Sequence, residues 1–166
     1  MRKIGIIAVV SLMALAIAAV PALAQNEHFV RASAALSGTN LVVSFKEAGL
    51  GDNVTITETA SATATATYVC VNRGGANPSA ANKTTITAPV SASGSFESGK
   101  NGTITGTLTL TPPGPGSFTC PSGQSRELAS VTYTNVAITD TTNGVTEPIT
   151  GTFTTGCLLP NVRGAC

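Results

Sequence analysis

The sequence predicts an all-β protein, an antiparallel β-sandwich formed by a single domain. Short runs of alternating apolar and polar residues are separated by Gly, Pro and Asn, the pattern of half-buried strands and their turns. After residue 24 no stretch carries an apolar stripe at helical spacing. Thr, Val, Ser, Ala and Gly dominate, and the β-branched residues among them suit a pleated backbone.

Taken in order, Phe29 to Leu36 is the first predicted strand, closed by Ser37-Gly38-Thr39-Asn40. Leu41 to Phe45 is the second, with Leu41, Val43 and Phe45 on one core-facing side. Ala48 to Asn53 turns the chain, and Val54 to Glu58 resumes the alternation. The low-complexity stretch Thr59 to Thr67 leads into a strand at Tyr68 to Val71. Residues 72–83 read as a long polar loop. A strand follows over Thr84 to Phe96, where Pro89 predicts an edge or a bulge. Lys100-Asn101-Gly102-Thr103 is a hairpin-type turn signal. Beyond it Ile104, Leu108 and Leu110 alternate with threonines, with Gly106 on the apolar phase. A second loop covers residues 112–125. Val131 and Tyr133 share one phase and Val136 and Ile138 the other, so a β-bulge is expected near Thr134-Asn135. Asp140 to Gly144 is a turn, and Val145, Ile149 and Phe153 mark the last strand. Seven to eight strands without a fixed-period repeat fit an immunoglobulin-like sandwich.

Residues 1–24 read as a signal peptide of a bacterial exported protein. Arg2 and Lys3 precede the apolar run Ile4 to Val20, Pro21 breaks it, and Ala22-Leu23-Ala24 supplies small residues for cleavage. An uncleaved anchor is the alternative, for which the run is slightly short. The expected mature domain is therefore 25–166, secreted or held in the cell envelope, with no membrane span after cleavage. Without Arg2 and Lys3, seven basic residues face eight acidic ones. The basic residues are scattered, with no run to follow a phosphate backbone, so no nucleic-acid partner is expected.

Cys70, Cys120, Cys157 and Cys166 are an even set in an exported chain, which reads as two disulfides. Zinc is disfavoured because no C-x-x-C pair occurs and His28 is the only histidine. Of the three connectivities, Cys70–Cys120 with Cys157–Cys166 is favoured; the second pair closes a short C-terminal loop over residues 157–166. If Cys70 bonds Cys120, loops 72–83 and 112–125 are gathered at one end of the sandwich, where binding loops usually cluster.

Three segments carry a resemblance to a family of small exported bacterial β-sandwich proteins. They are Ala48-Gly49-Leu50-Gly51, the run from Cys70 to Pro78 with its Cys-x-Asn-x-Gly-Gly core, and Cys120-Pro121-Ser122-Gly123. The likeness spans Leu41 to Phe153. It implies an immunoglobulin-like sandwich with Cys70 bonded to Cys120, and it carries no catalytic or ligand residues. This chain departs from it in lacking Trp and in adding the pair Cys157 and Cys166. The strand and Gly-Leu-Gly turn are also similar to the neocarzinostatin-type apoproteins, which implies a carrier of a small apolar ligand as the alternative function.

An enzyme is not expected, and neither is a cofactor or metal. A catalytic triad would have to use His28 near the mature N-terminus, and a cysteine nucleophile would need a free thiol. Eight carboxylates leave room for a catalytic pair in space, although a soluble surface needs them anyway. Asp140 to Gly144 is read as a plain turn in preference to a calcium loop. The Thr-x-Thr ladders at 63–67, 103–111 and 150–154 are read as solvent-facing strand positions. Sequons stand at Asn53, Asn82 and Asn101. The expected role is a secreted binding module for an extracellular partner or small ligand. Arg73, Asn77 and Phe118 are the candidate surface, and a structural surface protein is a further alternative.

Overall fold

The computed structural model describes residues 26–72 and 80–166. Among these there is no helix, and eight strands form two antiparallel sheets. They are β1 (His28–Ser37), β2 (Asn40–Ala48), β3 (Thr55–Asn72), β4 (Ala80–Glu97), β5 (Thr103–Leu110), β6 (Gln124–Asp140), β7 (Val145–Ile149) and β8 (Phe153–Thr154). The smaller sheet has the order β1-β2-β5. The larger has the order β4-β3-β6-β7, with β8 also on β6.

The period-two pattern explains which face each strand buries. Leu41, Val43 and Phe45 of β2 meet Ala60, Ala62, Ala64 and Ala66 of β3 and Val131 and Tyr133 of β6 in one shared core. The alanines keep β3 thin, so the larger side chains opposite fill the space between the layers. Tyr133 has no exposed surface, and its hydroxyl donates to the Thr39 carbonyl at 2.8 Å. One hydrogen bond thus ties the β1–β2 turn of one sheet to the centre of the other. Burial pushes that phenol up to about 12.

Several expectations need correction. The low-complexity stretch 59–67 does not lead into a separate strand at Tyr68; with Thr55 to Glu58 before it and Tyr68 to Val71 after it, it belongs to β3, one continuous strand of 18 residues from Thr55 to Asn72. Its Ala/Thr alternation is a core face and a solvent face at their simplest. Residues 80–83 belong to β4, and the remainder of the expected 72–83 loop beyond Asn72 lies outside the described residues. The turn at Lys100–Thr103 is not a hairpin, because β4 and β5 lie in different sheets. The last strand is two, β7 and β8, separated at Thr150–Thr152. The signal peptide lies outside the described residues.

Other expectations agree with the structure. The register of β3 on β6 slips between Ser61 and Thr63, opposite Thr134–Ala137, and Asn135 takes a φ of 52°. That bulge reverses the phase of β6 and turns Val136 and Ile138 inward. Pro89 sits on the edge strand β4 in regular register with Thr63. Outward threonines pair across strands, as in Thr65 with Thr87 at 2.9 Å and Thr132 with Thr154 at 3.1 Å.

Gly106 faces the core beneath Phe45 and Phe96, whose rings meet edge to face at 5.1 Å. A methyl there would stand 2.8 Å from Cζ of Phe45. Gly106→Ala is therefore expected to destabilise the fold by about 1–3 kcal/mol in a denaturant titration, through overpacking. An unchanged midpoint would mean that the aromatic pair moves freely.

Candidate functional site

The strands of the larger sheet outrun those of the smaller one, and each end of the molecule has its own chemistry. One end carries the disulfides. β3 ends in Tyr68, Val69 and Cys70, which face alternate sides. On the inner side Cys70 bonds Cys120, with Cα atoms 5.4 Å apart. Two further contacts pin the same loop, residues 111–123. Tyr68 Oη donates to the Pro113 carbonyl at 2.8 Å, and Arg126 Nη1 donates to the Phe118 carbonyl at 2.8 Å. Arg126 is the cross-strand partner of Cys70, so disulfide and guanidinium reach the loop from neighbouring positions.

The outer side of the same end is covered by the C-terminal segment, closed by Cys157–Cys166. Val69, Ala80, Ala129 and Ala165 form a second small core there, with Val71, Leu159 and Val162 against it. Ala80 N–H donates to the Arg163 carbonyl at 2.9 Å, and Leu158 N–H to the Ala129 carbonyl at 2.8 Å. Both disulfides have the favoured connectivity, and each clamps one side of the sheet's overhang. In the chain-entropy account, loops of about 50 and about ten residues contribute ~4 and ~2.7 kcal/mol.

Between the start of β4 and the pinned loop lies an open groove of about 630 Å³, lined by Asn82, Lys83, Phe118, Thr119, Cys120 and Pro121. Phe118 is half-buried and forms an aromatic wall, and Lys83 is exposed beside it. No ion pair joins Lys83 to another described residue. Of the three candidate residues from sequence, Phe118 is in this groove; Arg73 and Asn77 lie outside the described residues. Asn82 and Lys83 lay within the expected binding loop 72–83 but, like Arg126, were not among the candidate residues. The signal for Lys83 was its place at the strand boundary next to Cys70 in the ladder.

The opposite end holds carboxyls. Glu47, Glu58 and Asp140 have no exposed surface, so the expectation that all eight acids serve the surface is corrected. Glu58 and Asp140 are cross-strand partners, and Glu47 approaches from the other sheet. Asp140 is satisfied by its own turn. Its carboxylate accepts the N–H groups of Thr142 at 2.8 Å and Asn143 at 3.0 Å, and Asn143 Nδ2 at 2.6 Å. That geometry makes residues 140–144 a self-capped turn. The four carboxyl oxygens of Glu47 and Glu58 have no donor. Two facing carboxylates lack a hydrogen between them, and a proton on Glu58 supplies it for Glu47. Burial, the bond to Glu47 and the charges of Glu47 and Asp140 raise Glu58 to about 9. Burial also raises Glu47, while the bond from Glu58 opposes the rise. Among the described residues no group of three His, Cys, Asp or Glu is placed to hold a metal ion. With no exposed surface, this pair stores a proton and offers no access to a substrate.

The signal for this cluster was present in the sequence. Glu47 continues the core phase of Leu41, Val43 and Phe45; Glu58 follows Ile56; Asp140 follows Val136 and Ile138. Each acid stands on the apolar side of its strand.

Comparison with known protein families, with characterised proteins and with solved structures finds no match for this chain. No helix among the described residues is long and apolar enough to cross a membrane.

Glu58 takes up a proton on folding between its ordinary value of 4.5 and about 9. The unfolded chain binds fewer protons in that window, so stability falls as pH rises through it, by up to about 1.4 kcal/mol per pH unit from this group. Glu58→Gln is expected to flatten that slope and to raise the urea midpoint at pH 8. A variant slope as steep as the wild type's would place the proton elsewhere.

Proposed function

We propose that this chain is an exported, non-enzymatic binding module of immunoglobulin-like architecture that takes its partner in the groove at the disulfide-bonded end. The strand order supports the architecture. Seven-stranded immunoglobulin domains of the constant type pair strands 1, 2, 5 and 4 in one sheet and 3, 6 and 7 in the other. Here the same two sheets recur with β4 moved beside β3. The paired cysteines and the apolar start of the chain support export.

The observation that carries the binding reading is the threefold pinning of one irregular loop by Cys70, Tyr68 and Arg126. A loop held this firmly forms a preorganised wall, which lowers the ordering cost of binding. The groove beside it offers a cation without a counter-ion among the described residues and one aromatic face. That chemistry fits an extracellular ligand with an acidic or hydroxyl-rich part for Lys83 and a flat apolar part for Phe118. Between the sheets the space is filled by Phe45, Tyr133, Leu41 and Leu110, so a small apolar ligand of the carrier type finds its room in this same open groove.

Native mass spectrometry of unreduced protein from its own culture medium is expected to show an added ligand or partner mass. Phe118→Ala and Lys83→Ala, at half-buried and exposed positions, are expected to lose that adduct roughly tenfold with little change in melting temperature. Retention of the adduct by both variants would remove the groove from the binding function.

A further inference from the structure

β4 is an edge strand. β3 pairs with one side of it, and among the described residues no strand pairs with the other. Its register on β3 runs without a shift from Glu97 opposite Thr55 to Asn82 opposite Cys70. No bulge turns the free edge away over that length. Long edges are commonly blunted by charge and proline, and β4 has both, in a particular arrangement. Lys83 and Glu97 are its only charged residues. They lie on the same outer face, seven positions either side of Val90, and neither has an ion-pair partner among the described residues. Three of the pairs of positions between them are also alike about Val90. Thr85 mirrors Ser95 and Thr87 mirrors Ser93 on the outer face, and Ala88 mirrors Ala92 on the inner one.

We propose that the β4 edges of two copies of this chain pair antiparallel about a two-fold axis at Val90, joining the two large sheets into one. In that register Lys83 of each copy stands opposite Glu97 of the other, and both charge pairs form at once. A shift of two residues in either direction breaks both. Inside, the half-buried Val90 meets Val90 of the other copy at the axis, Ala92 stands opposite Ala88 and Ile86 opposite Gly94, which extends the apolar face. Pro89 withholds one donor per copy near the centre, and the flanking stretches 83–87 and 93–97 keep theirs. The same arrangement disfavours pairing with unrelated strands, which lack the matching charges.

Lys83 and Glu97 of one chain are roughly 46 Å apart along the strand. A zero-length carbodiimide cross-link between them can therefore only join two copies. The disulfide-intact protein is expected to show a monomer–dimer equilibrium by sedimentation and to yield the Lys83–Glu97 cross-linked peptide. Glu97→Lys places like charges at both ends of the pairing and is expected to weaken the dimer roughly tenfold or more. The swap Lys83→Glu with Glu97→Lys is expected to restore it. Glu97 lies at the far end of β4 from the groove, so its variant tests the edge without touching the proposed ligand site. A monomer up to millimolar concentration, a dimer indifferent to Glu97→Lys, or a dimer without the 83–97 cross-link would each overturn the proposal.

Discussion

The structure depends on the alternation of β3, which pairs along its length with β4 on one side and β6 on the other. Side chains repeat every two residues, so one long strand in fixed register imposes two faces on everything paired to it. On the inner face the repeat is alanine, and the smaller sheet can approach closely enough for Phe45 and Tyr133 to close the core. The outer face carries serine and threonine, which pair across strands and need no covering layer. A slip of one residue would exchange the faces. β6 changes phase at two bulges, one between Leu128 and Ser130 and one at Asn135, where a positive φ absorbs the reversal.

Where β3 and its neighbours outrun the smaller sheet, the repeat continues without a partner layer, and substitutes take over. At the end of β3 the inner layer is replaced by a loop, held through Cys70, Tyr68 and Arg126. The outer side is closed by the C-terminal segment over its small core. At the other end the repeat brings three carboxyls to core positions, and their cost is met differently. Asp140 is satisfied by its own turn, whereas Glu47 and Glu58 face each other and keep a proton. A buried pair with one proton avoids two adjacent negative charges in a dry site. The two ends are thus unlike. One is covalently closed, open to solvent in its groove and basic at Lys83; the other is sealed and acidic.

Much of this was legible in the sequence because period-two alternation and turn residues act locally. The bulge near Asn135 followed from a change of phase between Tyr133 and Val136, and the turn at Asp140 to Gly144 from its Asn-Gly pair. The stretch 59–67 read only as low complexity ahead of a strand because alanine and threonine are poor in hydrophobic contrast. Their alternation is as regular as that of Leu41 to Phe45 but weaker in amplitude. The groove was legible only in outline. The place of Phe118 beside the disulfide followed from Cys120, but the part played by Lys83 and Arg126 depends on the β3–β4 and β3–β6 registers, which no local pattern specifies.

By itself the sequence determined the all-β character, the core phase of strands such as β2, β5 and β6, the turns and the even set of cysteines. These follow from short-range sterics and from the side-chain alternation of extended backbone. Only the tertiary structure decided which strands became neighbours. That choice moved β4 to the edge beside β3, made the turn at Lys100 a crossing between sheets, and set Glu47 against Glu58 from opposite layers. Non-local pairing depends on how whole faces pack, and faces with the same alternation are interchangeable until the complete set is assembled.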